Sequence, residues 1–573
     1  MRRLREQYPA ELVVIGVHSA KFPSEQLTQN IRNAVMRHGI QHPVVNDAGL
    51  KIWSSYAVRA WPTLIIVDPR GRIAGEISGE ILADDLALTL DEIIREQADL
   101  IDRTPFQARK ETTLEPDHLL RYPSRLLPVE PDLLYIADSG HHRVIETRLS
   151  TDRRSADVLR VFGSGHPGLR DGAPQQAMLN SPHGMAFSAA NHALYVADTE
   201  NHAIRKINLE DGAVTTIAGT GQKAHGRYAI TSPTQTPLRS PWSLHLLDNY
   251  LFIAMAGSHQ IWVMIGDDQI GPFAGSGAEA LVDGPLGECG FNQPSDITEG
   301  FGHLIVADPE ASAVRAISFG EQPKTVTLVG QGLFDFGDQD GAGDQALLQH
   351  PTGVVCGMET IYIADTYNHK IKTLDPRTGM VSTLIGSGSA GMGDGDFSRV
   401  SLYEPEGVSL FGNTLLIADT NNHQVRVANL VERTVTTLTL THVDRLTIPS
   451  EETGDLPPLQ LIEIKPGKVN FTLEFRLPQG THLNPDAPSM VTIQPGEISI
   501  QLTQPVVEWS MSLAADKQLK LDYSVYYCDE KDARVCMVAN GSRLLPLKIT
   551  SLGQNHAHVL INLLGELNKN QVD

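Results

Sequence analysis

LYIADSGHHRVI, at Leu134–Ile145, returns as LYVADTENHAIR at Leu194–Arg205, and that return decides the fold. Four further copies follow: LFIAMAGSHQIW (251–262), LIVADPEASAVR (304–315), IYIADTYNHKIK (361–372) and LLIADTNNHQVR (415–426). They align on Asp138, Asp198, Met255, Asp308, Asp365 and Asp419, at intervals of 53 to 60 residues. A proline stands 14 to 16 residues before each anchor, at Pro123, Pro182, Pro241, Pro294, Pro351 and Pro405. Most units close on a β-branched run and Gly-x-Gly, as in VTTIAGTG and VSTLIGSG. Each unit therefore holds about four short strands between turn residues, which is one propeller blade, and six units make a closed ring over 111–440. The Gly-x-Gly pairs end strands without opening helices, so they are turns and not phosphate loops.

His142, His202, His259, His369 and His423 each fall four residues after an anchor, with Ser312 in that place in the fourth unit. Imidazoles are common metal ligands, yet residues repeated once per blade are spread around a ring and do not converge. Together with Asp138, Asp198, Asp308, Asp365 and Asp419 they are expected to bond backbone groups in each blade's turn, because buried polar groups need partners. No metal and no cofactor is expected. The unit-specific candidates for chemistry in the ring are His183, Glu404 and Glu406, whose spacing specifies no metal.

Around the ring the pattern changes. ELVVIGVHS (11–19) has the apolar continuity of a strand buried on both faces. SEQLTQNIRNAVMRHG (24–39) is predicted as a helix with Ser24 as N-cap and Gly39 as stop. TLIIVDPRGRIAGEISG (63–79) is predicted as two strands around a turn, and LADDLALTLDEIIREQ (82–97) as an amphipathic helix. Strand, helix, hairpin, helix is the second part of a thioredoxin fold, and Trp61-Pro62-Thr63 matches that family's cis-proline loop. MRRLREQYP has the look of the last turns of the first helix. On this reading residues 1–105 lack the first strand and the Cys-x-x-Cys, as in an N-terminally truncated domain. Two apolar strands would then keep unpaired edges, and residues 1–105 as given would not be catalytic.

Beyond IPSEETGDLPP (448–458), period-two alternation returns at Val469, Phe471, Leu473, Phe475 and Leu477. It recurs at Leu519, Leu521, Tyr523, Val525 and Tyr527, and at Ala557, Val559, Ile561 and Leu563, predicting an antiparallel, immunoglobulin-like β-sandwich over 456–573. Inside it YYCDEKDARVCMV sets Cys528 and Cys536 at the ends of two strands. The pair reads either as a redox dithiol or as two strand cysteines in a reducing compartment. Asp529, Glu530 and Asp532 would raise a thiol pKa, with Lys531 and Arg534 partly offsetting them. Cys289 reads as a loop thiol and Cys356 as a core strand residue.

The 573 residues are too many for one core and fit three domains. A net charge of −22, from 68 acidic and 46 basic residues, argues against nucleic acid and anionic lipid as partners. Four cysteines, no apolar run of membrane-spanning length and no secretory-type start lead to the expectation of a cytoplasmic protein.

The hhhADTxNHxhR core resembles the NHL repeat family. The order of thioredoxin-like domain, six repeats and β-rich tail resembles the thioredoxin-like NHL repeat-containing protein 2 family, which implies a redox-type domain coupled to a propeller. The cysteine hairpin is similar to the N-terminal domain of the DsbD transporter, which implies that Cys528 and Cys536 pass on a disulfide. The fold expected is multidomain and mainly β. The function expected is a protein-interaction scaffold with an attached thioredoxin-like domain. Alternatives are a thiol-disulfide oxidoreductase using Cys528 and Cys536, and a propeller hydrolase or lyase with a central metal.

Overall fold

The computed structural model describes residues 1–79, 81, 83–104, 118–225, 230–446, 459, 461–477, 481–484, 489–494, 498–529, 536–551 and 553–562. Each repeat folds as an antiparallel sheet. In the first blade Pro123–Val129, Leu133–Asp138, Arg143–Leu149 and Ser155–Phe162 run in sequence order from the axis outward. Five further sheets repeat that order. The anchor residues end the second strands, and five of the six prolines open the innermost strands, where a missing N–H costs no ladder bond. The ring is closed by Thr439–Thr441, which pairs in parallel with Ser155–Phe162. The following Val443–Leu446 turn stays on the first blade through Arg143 Nη1, which donates to Leu446 O at 2.7 Å, so the ring ends slightly beyond residue 440.

Blades adhere because strands with both faces apolar bury each face against a neighbour. One cluster joins Leu126, Ile136 and Ile145 of the first blade to Leu416, Ala418 and Val427 of the sixth, closing the circle with a core like those between the other blades. Each Leu, Ile or Val so buried contributes about 1.5–3 kcal/mol of hydrophobic stabilisation.

The N-terminal part has helices Arg2–Gln7, Thr28–Arg37, Lys51–Ser55 and Ala83–Glu96. Arg2–Gln7 packs on Ala83–Glu96 through Leu4, Tyr8, Leu86 and Leu90. Its strands form two separate pairs: Gly16–His18 with Val44–Asn46 in parallel, and Thr63–Val67 with Ile73–Ser78 antiparallel. Two expectations are corrected. The 11–19 segment is not buried on both faces: only Gly16–His18 is a strand, and Val13 and Ile15 are 52% and 56% exposed, since the pair has no ladder on its other edge among the described residues. Ser24 is not the helix N-cap. It lies in a 3-10 turn, Pro23–Gln26, and accepts from Asn30 Nδ2 at 2.8 Å, while the helix starts after Leu27.

The C-terminal part is a sandwich. Gly467–Arg476 is flanked by Val506–Leu513 and His556–Asn562, and its inward Val469, Phe471, Leu473 and Phe475 meet Leu519, Leu521, Tyr523, Val525 and Tyr527 of the facing sheet. It is not purely antiparallel: Gly467–Arg476 pairs in parallel with His556–Asn562, and Ile462–Ile464 with Cys536–Ile549. Alternation fixes which face is buried but not the direction of a neighbour. Leu563 and residues 530–535 lie outside the described residues, as does the 448–458 linker.

Candidate binding site at the mouth of the propeller

The repeated polar residues form two sets of bonds. Asp138, Asp198, Asp308, Asp365 and Asp419 are fully buried. Their Oδ1 atoms accept backbone N–H groups of Arg121, Asn180, Asn292, Gln349 and Tyr403 at 2.5–2.7 Å. In the third blade Met255 Sδ takes the equivalent N–H, of Arg239, at 3.4 Å. The other oxygen faces a cation seven residues on: Arg205 at 2.8 Å, Arg315 at 3.2 Å, Arg426 at 2.8 Å and Lys372 at 3.8 Å, with Arg143 serving Asp138 at 2.7 Å. These cations, of which Arg205, Arg315 and Arg426 close the hhhADTxNHxhR core, form part of the repeat whose role the sequence reasoning left unassigned. So do Asp171, Asp283 and Asp394, which hold the outer end of each arginine.

The histidines staple each blade to the next. Nδ1 of His142, His202, His259, His369 and His423 accepts the backbone N–H of Ser181, Ser240, Gln293, Glu404 and Tyr122 respectively, at 3.1–3.3 Å. Ser312 Oγ does the same for His350 at 3.2 Å. An accepting Nδ1 must be unprotonated, and burial pushes the imidazoles of His142 and His369 down to about 4. The five rings lie one per blade boundary and do not meet.

Each stapled N–H belongs to a residue in the left-handed region, φ between 46° and 60°, directly before a blade proline. That ring of residues, with those just after the prolines, forms the mouth of the axial channel, and here the blades differ. Arg125 crosses the axis from the first blade: its Nη2 donates to Ser295 O at 3.1 Å and Thr352 O at 2.7 Å, and its Nε lies 3.7 Å from Asp296. Above it remains a cavity of ≈ 130 Å³, lined by His183, Trp242, Tyr122, Ser181, Glu200 and Glu406 among others, and walled by Arg37 and His38 of the N-terminal domain.

That domain docks on one half of the mouth. Glu25 fixes its docking loop by accepting the N–H groups of Lys21 and Phe22 at 3.1 and 3.0 Å. The loop then places Phe22, 1% exposed, among Phe336, His350 and Tyr367, with ring centroids 4.8–5.4 Å away. Lys21 Nζ donates to Glu310 O at 2.6 Å and Oε2 at 2.9 Å. Tyr403 Oη bonds Asn30 Oδ1 at 2.6 Å. At the helix end Arg37 Nη1 donates to Glu406 at 2.7 Å and Nη2 lies 3.7 Å from Glu404. Burial pushes the Glu404 carboxyl up to about 7. His183, Glu404 and Glu406, scattered in sequence, thus come to one mouth with Arg37. His183 Nδ1 faces Ser181 O at 2.9 Å and so carries the proton, which leaves Nε2 with its lone pair. Burial pushes this imidazole down to about 3. Among the described residues no group of three or more His, Cys, Asp or Glu gathers as a metal site.

The remaining candidates lie apart from the mouth. The Trp61–Pro62 peptide is cis, Trp61 packs 4.5 Å from Trp53 and donates Nε1–H to Ser19 O at 2.8 Å, and Thr63 Oγ1 donates to Ala60 O. Cys528 is buried and disulfide-bonded, and the residue opposite it in the ladder is Cys536. Glu530, Lys531, Asp532 and Arg534, expected to tune the pair, lie outside the described residues. Cys289, expected as a loop thiol, is fully buried, with Sγ 3.3 Å from Leu286 O and Thr325 Oγ1. Cys356 is free and half-buried, its thiol pushed up to about 12. No helix among the described residues is long and apolar enough to cross a membrane.

Six blades built on this staple and anchor pattern define an NHL-repeat propeller, and the NHL repeat family matches residues 179–207 and 402–428. NHL repeat-containing protein 2 of Gallus gallus is 34% identical over 628 residues, covering 97% of this chain and 85% of its own length. The chain belongs to the NHL repeat-containing protein 2 family. Protein SUPPRESSOR OF QUENCHING 1, chloroplastic, of Arabidopsis thaliana is 34% identical over 585 residues, 94% of this chain and 54% of its own length. The thiol-disulfide oxidoreductase ResA of Bacillus anthracis is 29% identical over 93 residues, 16% of this chain and 53% of its own length.

Proposed function

We propose that the chain is a protein-interaction scaffold of the cytoplasm, in which the propeller mouth is the recognition surface and the thioredoxin-like domain sets how much of it is open. The observation that carries this is the docking: Lys21, Phe22 and Arg37 cover the fourth to sixth blades, while the second and third present Ser181, Glu200 and Trp242 to an open cavity. Arg125 fills the axis below, which favours a recognition pocket over a through-channel. The acidic surface fits protein partners and repels nucleic acid and anionic membranes. The test is quantitative affinity capture from the native host with the intact chain and with Trp242→Ala, which alters the open half without touching a staple. A set of proteins retained by the parent and lost by the variant supports the reading; identical sets sink it.

Thiol-disulfide exchange is a second reading, favoured by the bonded state of Cys528 opposite Cys536. A reduced dithiol partner would break that disulfide, leaving two thiols here while its own pair is oxidised to a disulfide, with two electrons and two protons transferred. Titration of the thiol count against a glutathione redox buffer tests it: a transition between about −150 and −300 mV supports exchange, whereas a disulfide resistant throughout that range is structural.

A further inference from the structure

The docked domain shows what this mouth can recognise. Two residues after each anchor, the blades carry Gly140, Glu200, Gly257, Glu310, Tyr367 and Asn421. All six hang on the same backbone bond, their N–H donating to the carbonyl of Arg121, Asn180, Arg239, Asn292, Gln349 and Tyr403 respectively, at 2.8–3.3 Å. On the covered half each of these side chains is engaged: Glu310 by Lys21, Tyr367 by Glu25 and Phe22, Asn421 by Glu404. On the open half Gly140 and Gly257 present no side chain, and Glu200 stands between them.

Glu200 therefore repeats Glu310 in residue type, in repeat position and in backbone hydrogen bonding. At Glu310 the ligand is visible: a lysine ammonium held by the carboxylate and the main-chain carbonyl, with Phe22 and Phe334 rings 4.9 and 5.6 Å from Nζ. At Glu200 the exposed carboxylate meets no cation among the described residues, and the cavity beside it supplies comparable partners. Trp242 offers an aromatic surface. His183, 8% exposed, lines the same cavity and has an Nε2 lone pair that no described group uses. An ammonium satisfies both, and its charge complements a chain of net charge −22.

We infer that Glu200 is a second lysine-binding position on the mouth, taking the ammonium of a lysine in a basic segment of a protein partner by the grip that Glu310 uses on Lys21. The inference rests on the scaffold reading and narrows its partner to one that presents such a lysine.

The probe is a dye-labelled peptide, Gly-Ala-Lys-Phe-Gly-Ala, whose Lys-Phe pair copies Lys21–Phe22, together with its twin carrying Nε-acetyl-lysine. Fluorescence polarisation with the intact chain is read at about 150 mM salt, where long-range attraction is screened. Saturable binding to the parent is expected, weakened about tenfold or more both by Glu200→Gln and by acetylation. Glu432→Gln, on an exposed turn of the sixth blade, should leave it unchanged. Equal binding to parent and Glu200→Gln, equal binding of the acetylated twin, or no saturation up to about 5 mM each overturns the inference. If Trp242→Ala loses captured partners while Glu200→Gln keeps them, the scaffold reading stands and the lysine grip fails.

Discussion

Replacing Phe22 by Ala should undock the N-terminal domain while leaving both domains folded. Phe22 is 1% exposed, yet the ring is absent from its own domain's apolar cluster around Leu4, Leu86 and Leu90. Its neighbours are Phe336, His350 and Tyr367 of the propeller. Truncating an aromatic anchor at the centre of an interface costs about 2–4 kcal/mol, while the Lys21–Glu310 pair and the largely buried Arg37–Glu406 pair remain to hold the rest of the interface. Since 1.4 kcal/mol is about tenfold, the docked-to-undocked ratio should fall roughly 30- to 1000-fold. Native-state hydrogen exchange reads this directly. Protection of the loop amides at Lys21 and Phe22 should drop by that factor in Phe22→Ala, whereas Ile136 and Ile417 in the blade cores, and the Tyr403 amide held by Asp419, stay protected. Leu27→Ala, 58% exposed in the same segment, should change nothing. Unchanged loop protection in Phe22→Ala would refute the reasoning; loss of protection in the blade cores as well would show that the ring supports the fold and not the docking.

Three other outcomes follow from the same bonds. Met255→Asp restores the repeat's usual anchor, yet it should destabilise the chain by about 3–5 kcal/mol, because Trp262 stands where other blades carry the balancing cation and the carboxylate would be buried unpaired; Met255→Leu should cost under about 1.5 kcal/mol in the same denaturant titration. Acid should loosen the ring: His369 is held at about 4 when folded against 6.5 when unfolded, so its contribution is intact above about pH 6.5 and is lost as pH falls toward 4, a loss of about 3 kcal/mol. Thermal unfolding at pH 7.5 and pH 5 should read about 2 kcal/mol of this loss, the rest falling between pH 5 and 4, and His369→Ser, copying the Ser312 staple, should flatten the dependence. Arg125→Met should cost about 3–5 kcal/mol, since Asp296 would keep a buried charge without its cation, and urea midpoints check it.

The ring was legible because one physical requirement, a buried turn stapled to the next blade, recurs six times and leaves a period. The same recurrence carried Arg205, Arg315 and Arg426, the closing residue of the hhhADTxNHxhR core, but their part as buried partners of the anchor carboxylates depends on contacts that the sequence does not show. The mouth was legible only in pieces. His183, Glu404 and Glu406 stand out as unit-specific, but their meeting with Arg37 depends on how two domains dock. Lys21 and Phe22 lie in a loop whose partners are hundreds of residues away, and no periodicity connects them. Strand direction in the sandwich was equally hidden, since alternation at Phe471 and Val559 is the same for parallel and antiparallel neighbours.

Zero-length carbodiimide cross-linking of the intact chain, followed by mass spectrometry, tests the divided mouth most directly, because it joins a lysine only to a carboxylate it already touches. The account predicts an amide between Lys21 and Glu310, lost in Phe22→Ala, and no link from Lys21 to Glu200. Links from Lys21 spread over several blades, or none to Glu310, would contradict an N-terminal domain fixed on one half of the propeller.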